Sequence, residues 1–347
     1  MKRLKLILKI AALLLLALVV AGMIYEKIGE RRDRKRYPQV GRSVDIGGRS
    51  LNIFCSGEGD PSIVFEAGGH SSGYTWINIQ PEIAKLTQAC WYDRAGLGWS
   101  DPGPSPRTFV AVAKELHALL HAAAVPPPYV LVAGGGLGDD HVRVFNGLYP
   151  SDVAGAVLVG ATDPDEEAHE LKYMKGALSS FSPLARQAAC KVVFPAMVHL
   201  GLMRLLGYPG SNRANVFGDV DEAKRRELDF LSIGRSADGE ACYHDENNDE
   251  VRAAGNFGSR PFMILESSEP DRAPSPEYEK EIEAYNDYRF HQLLPRLAGL
   301  SMRGRLVLLK NPMAPETVIA AAREVVSEVR DDRQNVARAV GATRNER

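Results

Sequence analysis

The sequence predicts an α/β fold: a mostly parallel, twisted sheet covered on both faces by helices, with an antiparallel hairpin at its start and a helical insertion. Three observations predict it. Short apolar runs recur at residues 62–67, 90–92, 129–133, 156–159, 261–265 and 305–309. Helix-period patterns lie between them, as at 109–124, where Val112, Leu116, Leu119 and Leu120 share one stripe. One long interval, 164–260, has no run of strand type. Short buried strands alternating with helices imply a parallel sheet, because each crossover helix covers a sheet face.

At 347 residues the chain can bury one large core plus an insertion. Its 45% hydrophobic and 25% charged content excludes a disordered chain. The formal net charge of −2 supplies no global field for nucleic acid, and no such partner is expected.

The first element is apolar. Residues 4–25 carry only Lys5 and Lys9 as charges, and 6–25 is long enough to cross a bilayer if Lys9 snorkels. A single-pass, uncleaved signal anchor at 1–25 is expected, with a basic linker at 26–41. A cleaved signal peptide and a core helix are the alternatives. The residues Gly22-Met23-Ile24-Tyr25 suit cleavage poorly, and basic residues on both sides disfavour a core helix. Lys2, Arg3, Lys5 and Lys9 precede the run; Lys27, Arg31, Arg32, Arg34, Lys35 and Arg36 follow it. That count mildly favours a cytoplasmic domain.

Next, runs 42–46 and 49–55 flank Gly47-Gly48, a hairpin signal because primed turns need positive φ. The hairpin's second strand is expected antiparallel to the 90–92 strand, which sets Cys55 beside Cys90. That geometry suits a disulfide between them, which is expected, with two buried thiols as the near alternative. Cys190 and Cys242 fall in the insertion as a second candidate pair. An even cysteine count on a tethered chain points to an oxidising compartment, so the domain is expected outside the cytoplasm despite the charges. The body is expected to span 42–331, with helical text at 164–260. A last helix spans about 315–329, its stripe Val318, Ala322, Val325 and Val329, and a polar, frayed tail occupies 332–347.

The informative stretch is YVLVAGGGLGDDHVRVFNGLYP, residues 129–150: a buried strand, a glycine cluster, then a helix. Gly-x-Ser-x-Gly elbows put a nucleophile on such a strand-to-helix turn, with glycines where side chains would clash. Here Gly134 and Gly138 flank Gly136, which holds the nucleophile position. YDRAGLGWSDPGPSPRT (92–108), this elbow, and the VRVF and VAGAVLV segments of 142–159 resemble α/β-hydrolase-fold proteins of bacterial, often membrane-anchored type. The resemblance covers nearly all of the chain beyond the anchor, and the insertion sits where that fold carries its cap.

The resemblance implies a segment like GHSLGG at 134–139, with serine at 136 and a small residue at 139. This chain has Gly136 and Asp139. It also implies a histidine between Lys310 and the final helix, yet no histidine occurs from 292 to 347 and no serine from 106 to 150. Of the acyl-transfer machinery, only oxyanion-type donors remain: the Leu137 amide and an amide near Gly69 or His70. Asp139 and Asp140 read as acids complementing a helix dipole. His70 and His141 match no metal-ligand spacing, and neither metal nor cofactor is expected. Asp271 is the best match for a vestigial triad acid, then Asp163, with Glu266 and Glu269 nearby. Asp93 and Arg94 read as turn-closing residues, and Glu66 has no assigned role.

The expected function is a membrane-anchored, catalytically inactive pseudohydrolase binding a small apolar or acyl ligand, or a protein partner. The alternative is a divergent esterase- or lipase-like hydrolase with relocated residues, such as His70 with an Asp. A tethered scaffold using only its outer surface is the third class.

Overall fold

The computed structural model describes residues 2–36, 38–69, 71–169, 185, 188–206, 240–273 and 275–345. Eight strands form one sheet: β1 (Arg42–Asp45), β2 (Ser50–Ser56), β3 (Ile63–Glu66), β4 (Ala89–Tyr92), β5 (Tyr129–Gly134), β6 (Val153–Val159), β7 (Phe262–Ser267) and β8 (Gly304–Leu309). Their order is β1-β2-β4-β3-β5-β6-β7-β8. The pairs β1–β2 and β2–β4 are antiparallel, and the others are parallel. Gly47 and Gly48 make the hairpin turn at positive φ, their amides donating to Asp45 Oδ1.

Successive side chains of a strand face opposite sides, and here both sides are dry. Leu131, Ala133, Leu158 and Ile264 join one core with α3 (Phe109–Ala122) and α4 (Leu137–Leu148). Val130, Val132, Val157 and Val159 join the other with Trp76, Ile79, α2 (Gln80–Ala84) and the last helix. The Thr108 hydroxyl accepts from the Ala111 amide and caps α3.

Three expected boundaries move. The N-terminal helix α1 (Lys2–Arg36) continues through most of the expected linker, since 26–36 contains no proline and Lys27 pairs with Glu30 at 2.9 Å. Pro38 follows its end, and the residue before a proline disfavours helix. The last helix, Pro315–Asn345, likewise runs through most of the tail expected to fray, whose residues 332–340 contain no glycine or proline.

The third shift concerns the insertion. Within it the described α-helices are α5 (Phe194–His199), α6 (Leu202–Leu205) and α7 (His244–Ala253). Helix α7 belongs to the body: Val251 is in the core, and Asn247 and Glu250 accept from the Phe109 and Val110 amides at the start of α3. A polar run with one buried valine reads as insertion because its partner lies about 140 positions away. Two further helices, α8 (Glu279–Tyr288) and α9 (Leu294–Ala298), join β7 to β8, and α10 is Pro315–Asn345. One disulfide joins Cys55 to Cys90, directly opposite in the β2–β4 register; a second joins Cys190 to Cys242.

Candidate functional site

Strand β5 stops at Gly134, paired with Val159, and α4 starts at Leu137. The reversal takes place at Gly136, with φ 75° and ψ −130°, a region that costs an L-residue energy and glycine little. A Cβ added at Gly136 would meet nothing within 4 Å. At Gly138 it would meet the Ala67 carbonyl oxygen at 2.9 Å, and at Gly68 the Gly135 carbonyl oxygen at 2.6 Å. The loop leaving β3 is therefore pressed against the elbow, and the small residues are there for contact.

The Leu137 amide is the first of α4, one of the donors a helix leaves without an intrahelical acceptor. The Leu137 side chain covers Gly69, 3.4 Å from where a Cβ would stand. His70 lies outside the described residues.

Beneath the elbow is a buried polar cluster. Glu66, at the end of β3, accepts from Arg94 Nη1 at 2.7 Å and from the Tyr92 hydroxyl, and lies 3.1 Å from His141 Nδ1. Arg94 also donates to the carbonyls of Ala67 and Gly68 at 2.6 and 2.8 Å. Burial pushes the Glu66 carboxyl up, but the His141 hydrogen bond, Arg94 and Tyr92 outweigh it and hold the group below its ordinary range. His141 stands edge-on to Phe109, ring centres 4.8 Å apart. Glu66, with no role assignable from sequence, and Arg94, expected to close a turn, are thus joined in one cluster; the sequence signal for it is the charged residue ending an apolar strand. Asp93 does close its turn, accepting from Asn52 Nδ2, Gly73 N and Trp99 N.

The acids expected near the site are engaged elsewhere. Asp139 is fully buried, and its carboxyl accepts from the Thr162 amide at 2.8 Å and faces the Thr162 hydroxyl. Burial, and then the neighbouring Asp140, push it well above the usual carboxylate range. Its role is to tie α4 to the exit of β6. Asp163 pairs with Arg143 at 3.5 Å and Arg296 at 2.8 Å. Asp271 exchanges backbone hydrogen bonds with the Asn286 side chain and lies 3.9 Å from Arg289, toward α8. Glu266 accepts from Arg289, and His291 sits exposed against Asp287 at 2.9 Å. Among the described residues none of these carboxylates is paired with a histidine above the elbow.

The loop between β8 and α10 is residues 310–314, closed by an Ala314 amide to Asn311 carbonyl bond. Its Met313 reaches the elbow: the Met313 Cε is 3.6 Å from the Cβ position of Gly135. A thioether accepts hydrogen bonds only weakly and cannot serve as a base. Among the described residues no group of three His, Cys, Asp or Glu side chains is placed to hold a metal.

No family model matches the chain. The uncharacterized protein YqjL of Bacillus subtilis is 30% identical over 197 residues, covering 52% of this chain and 74% of YqjL. A solved structure, a loop variant of the haloalkane dehalogenase DbeA from Bradyrhizobium elkanii, aligns with a TM-score of 0.53 and 18% identity. It covers 86% of this chain and 98% of that one, a likeness of fold. The chain has the α/β-hydrolase fold. An uncharacterized vacuolar membrane protein of Saccharomyces cerevisiae is 35% identical over 130 residues, which is 36% of this chain and 19% of that protein's length. In this chain the strand-to-helix turn has Gly136 at φ 75°, and Met313 reaches Gly135 from the loop between β8 and α10.

Proposed function

We propose that this is a membrane-anchored pseudohydrolase that binds a small acyl ligand at the elbow without turning it over. The observation that carries the reading is Gly136: an elbow backbone at φ 75° with open space where a nucleophile's side chain would stand, while Met313 packs on the neighbouring Gly135. Acyl transfer needs a nucleophile and a base to take its proton. What remains is the first amide of α4 at a helix N-terminus, which favours a carboxylate or carbonyl oxygen. A fatty acid or ester with its carboxylate or carbonyl at that amide fits the arrangement. The apolar face of α1 supports residues 1–25 as a single-pass anchor, and the two disulfides support a body, 42–331, on the oxidising side.

Two measurements test this. The purified full chain should resist labelling by fluorophosphonates; stoichiometric labelling of a serine near the elbow overturns inactivity. In a thermal-shift series, a medium-chain fatty acid should stabilise more than the matching alcohol or alkane, and longer chains more than shorter ones. Equal shifts across the series overturn acyl binding.

A further inference from the structure

The outer end of α1 is docked onto α5 and α6. A Cβ at Gly22 would meet the Leu200 carbonyl oxygen at 2.5 Å, and one at Gly201 would meet Tyr25 Cδ1 at 2.7 Å, so two backbones touch through paired glycines. Gly201 has φ 68°, and it makes the turn between α5 and α6. One turn further out, Arg204 is clamped: Nε and Nη2 each donate to Glu26 at 3.0 Å, and Nη1 lies 2.8 Å from Asp33. Glu26 is buried by this contact. Burial would depress the guanidinium, but Glu26 and Asp33 hold it above its ordinary value.

These contacts set a depth. The apolar run of α1 ends at Tyr25. At 1.5 Å per residue, Gly22 lies about 4.5 Å inside that end and Gly29, which faces Arg204, about 6 Å outside. Residues 200–206 thus straddle the level at which α1 changes from apolar to charged. Inside this small unit Val198 and Met203 pack on Phe194 and Met197. Outside it, Leu205 is 70% and Leu206 71% exposed, with Leu202 at 40%. On α1 itself Leu18, Met23, Ile24 and Ile28 are also exposed.

We propose that residues 200–206 form an interfacial foot, in which Leu202, Leu205 and Leu206 enter the headgroup–acyl boundary of the leaflet that α1 crosses. This rests on α1 spanning the membrane. The partner is a lipid surface, because the exposed leucines stand at the level where α1 passes from its apolar run to charged residues, with Arg31, Arg32, Arg34 and Lys35 on the headgroup side.

The test is tryptophan fluorescence of the full chain in phosphatidylcholine vesicles with and without brominated acyl chains. Leu205→Trp and, independently, Leu206→Trp report the foot; Leu14→Trp reports the span. The expected result is quenching at all three positions beyond the wild-type background, with roughly a two-fold loss at 205 or 206. Quenching at 14 but at neither 205 nor 206 overturns the foot and leaves the span intact. No quenching at 14 overturns the span, and the foot with it.

Discussion

Arg94 and Glu66 form a buried ion pair, Nη1 to Oε1 at 2.7 Å, with each side chain 1% exposed. The same guanidinium holds the carbonyls of Ala67 and Gly68, so the pair anchors the loop pressed against the elbow. Removing one partner of a buried pair leaves an uncompensated charge. Arg94→Met should therefore cost about 3–5 kcal/mol, and adding Glu66→Gln should cost less than the two single losses combined. Denaturant unfolding of the full chain in detergent measures both; additive losses would refute the coupling.

The pH dependence of that pair has a definite sign. Glu66 is held below its ordinary range, so its contribution is present above the unfolded-state value and lost as pH falls through the folded one. Wild type should lose stability on acidification in that window, and Glu66→Gln should lose less. Identical acid limbs in the two melting series would refute this assignment.

Asp139 should behave oppositely. It is raised by burial and by Asp140, so the unfolded chain gives up this proton first and stability falls as pH rises from the unfolded value toward the folded one. Asp139→Asn keeps an acceptor for the Thr162 amide and should flatten that slope, melting at or above wild type at neutral pH. Asp139→Leu leaves the amide without its acceptor and should lose about 1–3 kcal/mol. An unchanged slope in the asparagine variant would show that Asp139 is already ionised in the folded protein.

Much of this frame was legible in the sequence, and the reasons differ by element. Each buried strand reads as a short apolar run bounded by turn residues, and Gly134 to Gly138 carry the elbow within five positions. The Cys55–Cys90 register followed from hairpin direction alone. The buried cluster was not legible, because Glu66 and His141 are 75 positions apart and only the fold joins them. Asp139 misled because an acid in the first turn of a helix ordinarily faces water. Met313 carries no sequence signal, because its reach to the elbow depends on how β8 meets α10.

Gly136→Ser should fit, since space is open, yet cost about 1–3 kcal/mol for a side chain at positive φ. Alone it should hydrolyse p-nitrophenyl esters no faster than wild type. Adding Met313→His should raise turnover at least about ten-fold over the serine variant, below the 10²–10⁴ of a well-placed base. Turnover by the single serine variant would show that a base is already present.

Without reductant, the full chain should resist thiol alkylation, and reduction should release four reactive cysteines. Free modification of all four in the native protein would remove the support for an oxidising compartment.

The five-residue loop bearing Met313 also constrains the lineage. A serine arising at 136 would meet backbone strain with nothing to take its proton; a histidine arising at 313 would find glycine opposite it. Neither mutation is rewarded by itself. On the proposed reading, recovery of hydrolysis would need both changes together, because either one alone leaves nucleophile or base without its partner.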